Sequence, residues 1–523
     1  MFCSSKICQS TGEHAVGATF ALRSLKPFSS LMHGALRVTM QTGATILSGA
    51  LVVLVSASVA ALAAVEANAA VTFTQFEIAS GDTTSSGIVS GDFNHDGILD
   101  LVTINTSSLS FYKGLGHDQY AAPVNQPIAQ NLGQVFAADF NGDGKLDLAI
   151  AGTPYQTSGV VTILLGNGDG TFTQGTNLTV SGNAASIALA DFNGDHKPDI
   201  VVSDGVSNMT WVFLGNGDGT FTLSDSAYYG GNTVVAGDFN ADGLQDVVFA
   251  SQDDVGLFLG NGQGGFSNLI MAPLSNVYSL AVGDFYNDRI QTLAALVVID
   301  LGAGSNDAYI YSLRYANNEL YVENQNLINE GGEDPPLYVA GGDLNGDFKF
   351  DIFLAGGNFR GGPIGAYMLG NGNGTFKPMV NTPSYGDSEF FPFIRDLDLD
   401  GRHDVGMAWT SYFNGDGGAN VLRNTNASVN CTPPPADTLS VHICAPSNGE
   451  TIASPYTFRS AGNAFNGIAK RMELWIDGKK VGQDLEDQLK VKATLTAGSH
   501  TAAFVVVDSF DNYTSNSVTF TTQ

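Results

Sequence analysis

The sequence predicts an all-β fold, a seven-bladed β-propeller followed by a small β-sandwich, and three observations carry that prediction. The first is composition. Sixty-three glycines among 523 residues, with abundant Asn, Asp, Ser and Thr, supply frequent turns, while Val, Ile, Phe and Tyr supply short strands. The second is a nine-residue phrase, clearest as Asp139-Phe140-Asn141-Gly142-Asp143-Gly144-Lys145-Leu146-Asp147, whose seven copies begin at Asp92, Asp139, Asp191, Asp238, Asp284, Asp343 and Asp396. The third is its spacing. Intervals of 47, 52, 47, 46, 59 and 53 residues suit a four-stranded blade, and a repeat architecture accommodates a length that one hydrophobic core does not.

Each unit reads the same way. In the third, apolar runs cover Ser186 to Ala190, Ile200 to Ser203 and Met209 to Leu214, then Gly215-Asn216-Gly217-Asp218-Gly219 turns into a fourth run from Phe221 to Ser224. A parallel β-helix usually has shorter coils and lacks this alternation of one acidic loop with one glycine hairpin. After the seventh phrase, strands are expected near Val405 to Trp409 and Ala419 to Arg423, with no fourth before a proline-rich stretch. The missing strand is found at the other end, because Thr72-Phe73-Thr74-Gln75 matches Thr171-Phe172-Thr173-Gln174, which opens a fourth strand. Val71 to Ile78 is therefore expected to complete the last blade and close the ring, removing exposed sheet edges.

The net charge is −29, from 51 acids against 22 bases, which argues against nucleic acid or an anionic membrane surface as partner. Many of the acids lie in the repeated phrase, where clustered carboxylates call for a bound cation. Ca²⁺ takes six to eight oxygens, and the pattern Asp-x-Asn/Asp-x-Asp-Gly-x-x-Asp offers side chains at positions one, three, five and nine, a carbonyl at seven, and a turn-permitting glycine at six. The expected ligand sets are Asp92, Asn94, Asp96 and Asp100; Asp139, Asn141, Asp143 and Asp147; Asp191, Asn193, Asp195 and Asp199; Asp238, Asn240, Asp242 and Asp246; Asp343, Asn345, Asp347 and Asp351; and Asp396, Asp398, Asp400 and Asp404. His196 and Phe348 replace the glycine in the third and sixth loops. The fifth loop, Asp284 to Thr292, lacks acids or amides at three and nine and is expected to be empty, with Arg289 pairing Asp284 or Asp288 in place of a metal. Six ions would bring the net charge to about −17. Asx-rich hairpins without metal are common turns, but six in one register point to the cation.

With these phrases, and the turns Leu165 to Phe172, Leu214 to Phe221, Leu259 to Phe266 and Leu369 to Phe376, the chain resembles the FG-GAP or VCBS repeat family, bacterial relatives of the integrin α-subunit propeller, over about Val71 to Asn424. The resemblance implies structural calcium between the first two strands of each blade. It leaves function open, since similar propellers serve adhesion, sugar binding, lyases and scaffolds.

Residues 1–70 read as a leader. Arg37 precedes an apolar run from Ala44 to Val65, and Ala67-Asn68-Ala69 is a small-x-small cleavage pattern. An uncleaved anchor is the alternative, the run being long for a signal, and Met32 or Met40 would make a more ordinary start. Cys3 and Cys8 fall in the leader and take no role. After cleavage no membrane insertion is expected, and the chain is placed in the secreted, cell-surface or periplasmic space. There Cys431 and Cys444, bracketing Thr432-Pro433-Pro434-Pro435, are an expected disulfide. The resulting organisation is a propeller over 71–428, a proline-rich linker over 429–438 and a sandwich over 439–523. In the last, six or seven alternating strands and an Asp477-Gly478 hairpin resemble a bacterial Ig-like or fibronectin-like domain, with Trp475 on a strand face or in the core.

Eight histidines are scattered, and no nucleophile elbow, His-Glu-x-x-His or zinc-spaced Cys/His set occurs. The Gly-Asn-Gly-Asp-Gly turns lack the Lys-Ser/Thr of a phosphate loop and lead into strands. Two classes remain. One is a non-catalytic adhesion or binding module for an extracellular glycan or protein. The other is a carbohydrate-active lyase or hydrolase, with candidate residues Arg314, Tyr315, Tyr321 and Glu323 in the long fifth interval or in Tyr385 to Phe391.

Overall fold

A computed structural model describes residues 71–523 apart from 84, 118, 129–132, 153–158, 252, 303–304, 333–334, 357–364, 383–387, 412–415, 427–430, 437 and 465–468. The leader with Cys3 and Cys8, part of Tyr385 to Phe391 and the boundary at 428 lie outside the described residues.

Seven four-stranded antiparallel sheets succeed one another along the chain, forming a β-propeller. The third blade is representative, with strands Ser186–Ala190, Asp199–Asp204, Met209–Gly215 and Phe221–Tyr228 in spatial order. Its second strand is buried throughout, which is why it reads as a continuous apolar run, whereas its fourth is largely exposed. The fifth blade has the longest strands, Thr292–Gly302, Ser305–Ala316 and Glu319–Gly332, and these absorb the long 59-residue interval. The seventh blade holds Ser388–Arg395, Asp404–Thr410 and Asp416–Asn424 and takes its outer strand from Phe73–Thr83, paired from Phe73↔Asn424 to Ala79↔Gly418. The ring thus closes as the Thr72 to Gln75 match anticipates, with the strand running a few residues further.

The core lies between blades. Among the described residues, seven apolar clusters each join two neighbours, from Phe93, Ile104 and Phe111 against Leu148 and Phe172 round to Leu397 and Val421 against Leu101 and Tyr112. Side chains also satisfy innermost strand edges across blade boundaries. Gln134 Oε1 accepts from Ser186 Oγ and Ile187 N, Ser186 Oγ from Val234 N, and Ser279 Oγ from Val339 N, at 2.9–3.2 Å.

Beyond the linker, Ser440–Ala445, Tyr456–Asn463 and Gln488–Ala493 form one sheet, and Thr451–Ile452, Tyr513–Thr522, Gly498–Asp508, Ala469–Ile476 and Lys479–Asp484 another. They enclose one core around Phe458, Leu474, Phe504 and Phe520. Asp477 and Gly478 turn the hairpin at φ of 49° and 76°. Trp475 stands on the strand face, its Nε1 donating to Glu473 Oε2 at 2.8 Å. Cys431 and Cys444 are joined as a disulfide.

This module packs on the end of the ring that carries the acidic loops. Phe510, 1% exposed, enters the cluster between the second and third blades, and its carbonyl lies 3.1 Å from His196 Nδ1. Glu486 Oε1 accepts from Asp343 N at 3.0 Å, His403 Nε2 meets Asp487 Oδ1 at 3.0 Å, and Ala436 N donates to Gly97 O. A chamber of about 230 Å³ remains between inner-strand ends and Lys470, Glu486 and Asp487. Phe510→Ala is expected to cost about 3–5 kcal/mol and to loosen the module from the ring, measured by urea unfolding and by faster proteolysis within residues 439–523.

Candidate metal loops and exposed aromatic residues

In every blade the acidic loop joins the first strand to the second, and its ninth residue is the anchor. Asp100, Asp147, Asp199, Asp246, Asp351 and Asp404 are all fully buried. In each, Oδ2 accepts from the backbone N–H of position two and Oδ1 from that of a residue at the end of the third strand or two residues beyond it, at 2.7–3.0 Å. That residue is glycine in five blades because the strands approach closely. A Cβ on Gly166 would lie 2.1 Å from Leu146 O, and one on Gly370 2.0 Å from Phe350 O.

Position one organises the turn. Its two carboxylate oxygens accept from the N–H groups of positions five and six in all seven loops, at 2.6–3.2 Å. Position five in turn accepts from the N–H of position seven. Position six is left-handed even where it is His196 (φ 62°) or Phe348 (φ 63°), and Phe348 carries Lys490 Nζ 4.7 Å from its ring centre. Position four is also left-handed, as Gly in three loops and as His95, Ala241, Asn287 and Leu399 at φ of 55–60° in the others. Sequence reasoning missed this second requirement; the recurring glycines at 142, 194 and 346 were its only signal.

The companion turns stitch neighbouring blades. Gly170, Gly219, Gly264 and Gly374 N–H groups donate to the carbonyls of Phe93, Phe140, Phe192 and Phe285, position two of the preceding loop. The aromatic rings follow, with Phe93–Phe172, Phe140–Phe221 and Phe285–Phe376 edge-to-face at 5.5–5.8 Å.

Electrostatically these loops are short of positive charge. Burial, aided by the carboxylates at positions one and five, pushes Asp100, Asp147, Asp199 and Asp246 up to about 7. Asp351 and Asp396 are raised too, first by burial. Asn94 Oδ1 is buried with no hydrogen-bond partner. A cation held among these oxygens would meet both deficits, and each carboxylate oxygen already accepting one N–H keeps a second lone pair. In the seventh loop one oxygen each of Asp396, Asp398 and Asp404 lie within 4.8 Å of one another. The most acidic phrase is also flanked by two guanidinium groups, with Arg423 Nη2 2.6 Å from Asp398 Oδ2 and Arg402 on Asp400.

The fifth loop keeps the backbone of the others with Thr292 Oγ1 accepting from Phe285 N at 3.2 Å in place of the ninth carboxylate. The expected pairing of Arg289 is corrected here. Its backbone N–H donates to Asp284, but its guanidinium forms no ion pair with Asp284 or Asp288, and its charge is felt by Asp484 of the C-terminal module, whose carboxyl pKa burial raises and Arg289 lowers. The cation at Asp288 is Arg314, with Nη2 2.5 Å from Oδ2 and its guanidinium 5.3 Å from the Tyr286 ring centre. Glu323 and Asn324 both engage the Tyr286 hydroxyl, and Tyr315 donates to Asn318. Arg314 and Glu323, read as candidates for catalysis, thus engage Asp288 and Tyr286 of the fifth loop.

The opposite end of the ring, where chains enter the inner strands, exposes aromatic side chains. Tyr228 and Tyr229 are 69% and 43% exposed with ring centres 5.8 Å apart, and Tyr278 is 52% exposed.

The fold and its stitched loops define a seven-bladed propeller of Asx-loop repeats. The model of the FG-GAP-like repeat matches residues 92–150, 139–202 and 238–291, so the chain carries FG-GAP-like repeats. Among curated proteins none matches. Similar solved structures include an Agrocybe aegerita lectin that recognises non-reducing terminal N-acetylglucosamine, at 16% identity and TM-score 0.40 over 60% of this chain and 90% of that one. Fibronectin(III)-like modules of Clostridium thermocellum CbhA match at 20% identity and TM-score 0.15 over 16% of this chain and 96% of theirs. The propeller assignment rests on the sheet topology and the repeats, not on these likenesses.

Asp147→Ala is expected to destabilise the protein by about 2–4 kcal/mol by orphaning two buried N–H groups, with Asp147→Asn intermediate, read from urea unfolding. Ala241→Gly relieves a left-handed alanine at an exposed position and is expected to raise stability by about 0.5–1 kcal/mol in the same assay.

Proposed function

We propose that this is an exported, calcium-stabilised, non-catalytic binding protein whose propeller holds about six Ca²⁺ ions and recognises an extracellular glycan or protein. The observation that carries the metal reading is the row of buried ninth-position carboxylates, raised toward neutrality by burial and by their own neighbours. Positions one, three, five and nine of the six loops listed from Asp92 to Asp404 would hold the ions, which supply charge that fixes the loops between strands. Tyr286 at position three and Thr292 at position nine, whose hydroxyl stands in for the ninth carboxylate, support an empty fifth loop. The C-terminal module is read as an Ig-like sandwich, supported by its two sheets around one core.

The exposed Tyr228, Tyr229 and Tyr278 support recognition at the end of the ring away from the loops, since aromatic faces stack on sugar rings and anchor protein interfaces. The engagement of Arg314 and Glu323 at the fifth loop favours this reading over a carbohydrate-active enzyme.

Thermal unfolding with and without excess EDTA, alongside elemental analysis, tests the metal. About six calcium ions per chain and a melting temperature lowered by ten degrees or more on chelation, on the order of a few kcal/mol, are expected; one ion or none with unchanged melting refutes it. Glycan and surface-protein arrays test recognition, with Tyr228→Ala and Tyr229→Ala expected to weaken any ligand found by about tenfold each.

A further inference from the structure

The open end of the ring encloses a chamber of about 460 Å³, a size typical of small-molecule sites, lined by six inner strands and by Ala185, which precedes the inner strand of the third blade. Its walls are largely apolar, including Val89, Val135, Val235, Leu280, Val339 and Phe393, interrupted by Gln134, Asn232, Thr233 and Ser279. Several of these are only half-buried because they face the channel. Tyr278 stands at its opening, half-exposed. Among the described lining residues one side chain is charged, Arg395.

Arg395 is the last residue of its inner strand, and its hydrogen bonds go to neutral groups, with Asp487 and Asp396 acting on it through space without a direct ion pair. Nη1 donates to the carbonyl and hydroxyl oxygens of Ser90, at 3.2 and 3.3 Å, and Nη2 to Asn463 Oδ1 of the C-terminal module at 3.4 Å. A guanidinium offers five donors, so these long bonds leave capacity for a stronger acceptor. A partly buried cation whose hydrogen bonds go to neutral oxygens gains most from a planar anion, which can take two N–H groups at once.

We propose that this axial chamber binds small amphipathic carboxylates, an apolar body lying along the valine-rich walls and the carboxylate reaching Arg395. The chemistry follows from the lining. Apolar walls that are wet in the free protein reward an apolar body, and the lone cation selects the charge of the head group. Sugars fit this interior less well, because polar side chains lining it, among them Ser90, Gln134 and Ser279, already hydrogen-bond to neighbouring strands or to Arg395; the chamber shares Tyr278 alone with the exposed tyrosines proposed for glycan or protein recognition. Asn463 links the site to the module, which keeps the guanidinium turned toward the chamber floor.

Calorimetric titration of the full chain with octanoate, 1-octanol and octylamine tests this. Octanoate is expected to bind at least tenfold more tightly than octanol, with octylamine weakest. Val235→Trp narrows the chamber and is expected to weaken octanoate binding at least tenfold, with circular dichroism confirming that the variant is folded. Arg395→Gln is expected to bring octanoate down to the affinity of octanol. Should Arg395→Gln fail to fold, the octanoate-to-octanol ratio of the parent and the Val235→Trp result still decide the matter. Equal binding of octanoate and octanol, no binding of octanoate, or binding untouched by Val235→Trp overturns the proposal.

Discussion

The propeller depends on one buried carboxylate per blade. At position nine of each complete loop it accepts one N–H from the exit of the first strand and one from the end of the third, so a single side chain fixes the spacing of three strands. Burial makes this arrangement costly for a charged group, and two more carboxylates nearby raise the cost. The remainder of the loop answers that problem. Position one gathers N–H groups, positions four and six turn left-handed to aim them, and in the seventh loop one oxygen each of Asp396, Asp398 and Asp404 come together.

From this constraint follow the contacts between blades. A loop held in shape offers its position-two carbonyl and aromatic ring at a fixed place, and the next blade's glycine turn and phenylalanine meet both. Where the loop loses its ninth carboxylate, in the fifth blade, the fold survives because Thr292 takes one of the two N–H groups and Arg314 supplies a positive charge. The two ends of the ring then differ in character. One carries the acidic loops and is covered by the C-terminal module through Phe510, Glu486 and Asp487. The other presents aromatic side chains around an apolar channel.

Much of the fold was legible because it is local and repeated. The phrase beginning at Asp139, and its six copies, encode a loop whose hydrogen bonds run between residues two to seven apart, so each copy carries its own instructions. Ring closure was legible for the same reason, since Thr72 to Gln75 repeats a fourth-strand opening found elsewhere. Arg289 misled because adjacency in sequence suggested a pairing with Asp288 that Arg314, distant in sequence, makes instead from the adjoining strand. Position four was overlooked because non-glycine residues occupy it in four loops, and only coordinates reveal their positive φ.

The sequence by itself determined the repeat, its seven copies, the four-stranded unit and the residues of the acidic loops, because these rest on short-range backbone hydrogen bonding and on the alternation of apolar runs with turns. Only the tertiary structure decided which end of the ring the C-terminal module covers and where Arg314 and Arg423 pair. It also decided that Arg395 meets a largely apolar chamber to which all seven blades contribute. Those features join residues tens to hundreds of positions apart, and no local pattern records a contact that exists only once the ring has closed.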